Sequence, residues 1–226
     1  MRLLPARSAF SRRFAAFFGA LLMLLAATAP ARADGEAAGD FDYYVLALSW
    51  TPNWCADEGD ARRDDRCRVG GGRGWSLHGL WPQYEDGWPS YCRTTHRDPT
   101  RAETAAMGQF MGSSGLAWHQ WNKHGRCSGL SAQEYFITSA RALGKVKLPE
   151  VFTRLDKTVK VPAKVVEDAF LEANPGMTRD MVTVTCKSRA IQEVRVCLTR
   201  DLAPRRCGSD VIRDCTQRDA VMEPLR

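Results

Sequence analysis

Four histidines occur in the 226 residues, and three of them, His78, His119 and His124, fall in two short segments dense with tryptophan. The segments read Trp75-Ser76-Leu77-His78-Gly79-Leu80-Trp81-Pro82 and Trp118-His119-Gln120-Trp121-Asn122-Lys123-His124-Gly125-Arg126-Cys127. Two imidazoles can act as a general acid and a general base, and an adjacent lysine can hold an anion that gains charge in a transition state. That inventory suits metal-free phosphoryl chemistry on RNA, where the 2′-hydroxyl is the nucleophile and the protein need supply none.

The elements that carry these groups follow from spacing. At about 100° per residue, a helix places His119, Gln120, Lys123 and His124 on one polar arc, with Trp118 and Trp121 turned to the core. Gly125 stops that helix and leaves His124 in the last turn, where the helix dipole is expected to raise its pKa. A zinc-protease arrangement is excluded, because it needs histidines four apart with a glutamate between them. The competing reading is a solvated helix face with incidental histidines. His78 belongs to a short strand, Trp75 to Leu80, closed by Pro82; Gly79 permits close approach of a backbone or ligand. Trp81 offers a flat stacking surface, and a core tryptophan is its equal alternative. His96 lies in a polar, exposed loop.

The rest of the chain supplies an α+β scaffold in one domain, with a central antiparallel sheet flanked by helices and four disulfides. Phe41 to Trp50 is a strand rich in aromatic and branched residues. Residues 55 to 74 form an exposed loop clipped by a disulfide. Helices are expected over 100 to 111, over 115 to 124 after a Gly112-Ser113-Ser114-Gly115 break, and from the Ser131 capping box to Leu143 before Gly144. Further helices are expected over 149 to 158 and 162 to 173. Met181 to Lys187 and Ile191 to Leu198 pair as a hairpin. The tail from Asp219 to Arg226 reads as solvated surface.

Residues 1 to 33 read as a cleaved export signal, with a basic start, an apolar run from Phe14 to Ala27 and the small-x-small site Ala31-Arg32-Ala33. The run falls short of the ~20 apolar residues needed to span a bilayer. These residues hold five of the 32 basic residues and none of the 26 acidic ones, so the +6 of the whole chain falls to +1 after cleavage. A whole-surface electrostatic case for a polyanion partner is therefore excluded, and any such case is local. Residues 34 to 40 are expected to be loose, followed by a domain over 41 to 226. All eight cysteines follow the signal, which favours disulfides in an oxidising compartment. Spacing leaves on the order of 100 connectivities open. Zinc on Cys92, His96, His124 and Cys127 is the competing use, weakened by the loss of thiolates on oxidation.

The segments Leu77 to Pro82, Gln83 to Cys92 and His119 to Cys127 resemble the two active-site segments of the ribonuclease T2 family, in order and spacing. Phe41 to Trp50 resembles that family's first strand. The resemblance implies an α+β endoribonuclease of low base specificity, independent of metal or any cofactor. It gives His124 the 2′-hydroxyl proton, His78 the departing 5′-oxygen, Lys123 the phosphorane and His119 the phosphate. Trp81 would stack on a base, with Gln83, Tyr84 and Trp88 near its edge. The product would be a 2′,3′-cyclic phosphate and then a 3′-phosphate, and DNA would not be cut. The disulfides it suggests are Cys92 with Cys127, Cys186 with Cys215 and Cys197 with Cys207, leaving Cys55 with Cys67. One departure is Gln120, where the family usually carries glutamate. The Ala- and Arg-rich composition, without an Asn-x-Ser/Thr site, leans towards a bacterial source. The resemblance implies an RNA partner, the export signal a periplasmic or secreted protein with no membrane after cleavage, and a monomer is the default. A disulfide-rich binding or cytotoxic protein with weak or lost catalysis is the alternative.

Overall fold

The structure, a computed structural model, describes residues 36–226, and the export signal expected over residues 1 to 33 lies outside the described residues. Among the described residues six strands, five α-helices and several short turns follow one another. Strand β1 (Tyr43–Trp50) is flanked by β2 (Trp75–Gln83) on one edge and β5 (Ala190–Leu198) on the other, and β4 (Val182–Lys187) pairs with β5. Strand β3 (Val159–Val161) pairs with β6 (Ala220–Met222), which joins β5 through the pairing of Ala190 with Val221. That last pairing is parallel, so the sheet is antiparallel everywhere else but mixed overall.

β1 is the strand that reads as an almost unbroken apolar run, and seven of its eight residues are buried. A strand covered on both faces needs no polar alternation. One face packs under the helices α2 (Arg101–Met111), α3 (Ser114–Lys123), α4 (Ala132–Lys145) and α5 (Ala163–Ala173). That core joins Leu46, Leu48 and Trp50 of β1 to Leu77, Leu80, Met111, Trp121, Tyr135 and Phe170. The opposite face carries a smaller cluster, Tyr43, Val45, Cys197, Cys207 and Val211, with Trp81 against it. Helices therefore lie on one side of the sheet, and the other side is left to a cleft.

A short helix α1 (Thr51–Trp54) leaves β1, and its buried Asn53 ties the end of the sheet together. The Asn53 amide donates to Ile191 O and Val221 O at 2.7 and 2.8 Å and accepts from Glu223 N at 2.7 Å. Both polar atoms of the side chain thus have partners, as burial requires. The cysteines form four disulfides, Cys55–Cys67, Cys92–Cys127, Cys186–Cys215 and Cys197–Cys207. The candidate zinc thiolates Cys92 and Cys127 are thus bonded to each other.

Five expectations are corrected. β2 runs through Pro82, which pairs with Tyr44; β2 is the last strand of its edge, where a missing N–H need not break a ladder. α4 continues past Gly144 to Lys145. Residues 149 to 158 hold only a 3-10 turn, Glu150–Arg154, because the following Val159–Val161 is drawn into the sheet by β6. The tail supplies that partner, and its Glu223 O accepts from Trp50 Nε1 at 2.9 Å. Finally, the segment expected to be loose is tied down from residue 36: Arg93 N donates to Glu36 O at 3.1 Å and Gly39 N to Cys127 O at 2.9 Å.

Candidate active site

His78 sits at a β-bulge. Ala47 opposes Gly79 and Leu48 opposes Leu77, so His78 is the additional residue of β2. A bulge re-aims side chains, and here it puts His78 and Trp81, three apart, on the same side of the sheet. Their rings meet edge to face at 5.3 Å. The same side of β5 presents Glu193 and Arg195, opposite Ser49 and Ala47.

α3 brings the second segment to this edge. Ser113 caps it by accepting from Leu116 N, and Cys127 immediately beyond is held to Cys92. Trp121 is wholly buried and donates from Nε1 to Asp98 Oδ1 at 2.9 Å. Trp118, expected in the core, is 42 % exposed, because the buried stripe runs through Ala117 and Trp121, four apart on one face. Gln120 is turned inward and 1 % exposed, accepting from Trp81 Nε1 at 2.7 Å. A Cβ on Gly79 would come within 2.2 Å of Gln120 Oε1. The close neighbour of Gly79 is therefore the Gln120 side-chain amide, rather than the backbone or ligand expected.

His124 terminates α3 and is 6 % exposed, stacked on Trp81 at 5.2 Å between centroids. Its Nδ1 is buried without a hydrogen-bond partner among the described residues. Burial pushes its pKa well below the ordinary value, with help from Lys123, His78 and His119. The rise expected from the helix dipole is thus reversed, since desolvation in this position outweighs a terminal half-charge. His119 is also lowered, by burial and then by Lys123 and His78.

A cleft of about 370 Å³ gathers His78, Trp81, Gln83, Trp88, His119, Gln120, Lys123 and His124. Gln83 is buried and donates to Pro82 O at 2.8 Å, whereas Trp88 is 53 % exposed. Tyr84 does not line the cleft; it begins a turn in which its N–H donates to Gly87 O at 2.9 Å. Asp210 fixes that turn by accepting from Gly87 N at 2.9 Å.

Glu193, Arg195, Gln192, Asp210 and Val211 complete the lining and were not singled out from sequence. Glu193 is 2 % exposed and hydrogen-bonded through Oε1 to His78 Nδ1. Arg195 donates from Nε and Nη2 to the other oxygen at 3.0 and 2.8 Å. Burial raises the Glu193 carboxyl, but His78 and Arg195 outweigh it and leave it below the usual range, hence ionised. A usable signal existed: in β5, Val194, Val196 and Leu198 alternate with Glu193, Arg195 and Cys197, which marks two charges on one strand face.

The model of the ribonuclease T2 family matches residues 41–207, most of the described chain. The chain belongs to the ribonuclease T2 family. Its relatives include a ribonuclease of Aeromonas hydrophila, 43 % identical over 204 residues, covering 86 % of this chain and 91 % of that one. Ribonuclease I of Escherichia coli K12 is 31 % identical over 151 residues, 50 % of this chain and 56 % of the other. The RNase-related protein from Calystegia sepium shares the fold, with a TM-score of 0.63 at 22 % identity, over 82 % of this chain and 97 % of its own. In this T2-family chain both motif segments border one cleft, and the glutamine that departs from the family pattern is committed to Trp81.

Proposed function

We propose that the protein is a metal-independent endoribonuclease of low base specificity that cleaves single-stranded RNA by transesterification. The observation that carries this is the packing of both His78 and His124 on the indole of Trp81, in a cleft that also holds Lys123 and His119. His124, kept neutral by burial, takes the proton of the 2′-hydroxyl as that oxygen attacks phosphorus. His78, beside the ionised Glu193, gives its proton to the departing 5′-oxygen. A neutral ring and a charge-balanced ring are the division of labour that acid and base require. Lys123 offsets the charge of the phosphorane and His119 binds the phosphate. The cyclic 2′,3′-phosphate is then hydrolysed to the 3′-phosphate with the two histidines exchanging roles.

The base rests towards Trp81, Gln83 and Trp88. One face of Trp81 is occupied by His124, so the open ring of Trp88 is the better stacking surface. Four disulfides favour an oxidising location, the periplasm or outside the cell, consistent with the export signal read from the sequence. Among the described residues no helix is long and apolar enough to cross a membrane.

The test incubates the oxidised protein with single-stranded RNA and a matched DNA in excess chelator, beside His124→Ala. Cleavage of RNA alone, with cyclic or 3′-phosphate ends and loss in the variant, is expected. Absence of cleavage from acidic to neutral pH would overturn the reading and favour a binding protein on this fold.

A further inference from the structure

We propose that Glu193 is a positioning residue for His78, accepting the Nδ1–H of the imidazole and leaving Nε2 as the nitrogen that passes the proton. The inference rests on the reading of His78 as the general acid. Glu193 is fixed from two directions. Its backbone pairs with Ser49 in the middle of the sheet, and its second oxygen is held by the Arg195 guanidinium. The carboxylate therefore has one free oxygen, and that oxygen is on His78 Nδ1.

Burying an ion pair in a sheet is costly, and an apolar residue at 193 would fill the space at less expense. The arrangement makes sense when its charge is set against the chemistry. A carboxylate on Nδ1 fixes the tautomer and balances the ring while it is protonated. In the first step Nε2–H transfers to the 5′-oxygen as the bond from phosphorus to that oxygen breaks; Nδ1–H stays on Glu193, which remains ionised. In the hydrolytic step the neutral ring takes a proton from water through the same nitrogen. His78 also faces Lys123, His119 and His124 from α3 across the cleft. Among the acidic residues lining that cleft, Asp210 is engaged with Gly87, so Glu193 is the one joined to a histidine.

The experiment compares the oxidised wild-type chain with Glu193→Gln on two substrates, single-stranded RNA and a nucleoside 3′-(4-nitrophenyl phosphate), whose leaving group needs no proton. For RNA, kcat is expected to fall roughly 10- to 100-fold with KM little changed, while the aryl ester is cleaved at nearly the wild-type rate. Nitrogen-15 spectra of the His78 ring should show the proton on Nδ1 in the wild type and its redistribution in Glu193→Gln, with the thermal melt confirming the fold. Equal losses on both substrates, or no loss on either, would overturn the proposal. A wild type that cleaves neither substrate would overturn the ribonuclease reading instead, and the ring spectra would still decide whether Glu193 sets the tautomer.

Discussion

Trp81 Nε1 donates to Gln120 Oε1 at 2.7 Å, so the strand segment and the helix segment share one hydrogen bond directly beside the ring on which His124 stacks. Anything done to that amide is felt by His124.

Gln120→Glu keeps the acceptor for Trp81 and adds a negative charge. Burial and neighbouring cations hold His124 low, and a carboxylate opposes both by favouring the charged ring. In the proposed role His124 must be neutral to act, so raising its pKa moves the acidic limb of the kcat/KM profile to higher pH, by roughly one unit. Rate measurements from pH 4 to 8 check this, and an unmoved limb contradicts it.

Gly79→Ala disturbs the same pair without altering any reacting group. Its Cβ would lie 2.2 Å from Gln120 Oε1 and 2.4 Å from Trp81 Nε1. Such overpacking costs about 1–3 kcal/mol, and the expected result is a lower Tm together with reduced RNA cleavage. Gly144→Ala is the control, since nothing lies within 4 Å of its Cβ. Gly144 is the second-last residue of α4, so that change should stabilise by no more than about 0.5–1 kcal/mol and leave cleavage alone.

Stability should depend on His124 below neutrality. Its pKa is about 6.5 in the unfolded chain and well below that when folded, so the unfolded state binds more protons on acidification. The contribution of the neutral buried ring is complete above about pH 6.5 and is lost as pH falls towards the folded value. Urea midpoints measured from pH 8 to 5 should fall more steeply for the wild type than for His124→Gln.

Replacing Cys92 and Cys127 by serine releases a loop that spans 35 residues. Loop-closure entropy puts the loss at between about 3 and 5 kcal/mol. Because the bond sits beside His124, kcat is expected to drop at temperatures where circular dichroism still reports a folded chain. Unchanged kcat in the folded variant would show that packing alone holds α3 to β2.

The sequence was most informative where one local pattern decides the outcome. The Ser131 capping box, the glycine break at Gly112 and the β-rich run of Met181 to Lys187 each correspond to an element of the structure. It was least informative where the partner is remote. Val159–Val161 becomes a strand through β6, about sixty residues later in the chain, and nothing within Val159-Lys160-Val161 announces it. The site shows the same division. The histidines, the lysine and Trp81 were legible as clustered residue types, whereas Glu193 is separated by 115 residues from the ring it holds. The pKa of His124 was misjudged for a related reason: the helix end is local and readable, but the burial that overrules it comes from the fold.

The bulge at His78 also ties folding accuracy to function. Leu77 and Leu80 are both fully buried under the helices, while His78 and Trp81 both face the cleft, and each pair is three residues apart. In an uninterrupted ladder the same segment would oppose Leu80 to Val45 and Trp81 to Tyr44, pushing a leucine into water and an indole into the hydrocarbon layer. Losing one buried leucine costs about 1.5–3 kcal/mol, so a slipped register is rejected by the core before any substrate arrives. The hydrophobic layer thus proofreads the spacing of His78 and Trp81, and a chain that folds at all has that imidazole and that indole on the same side.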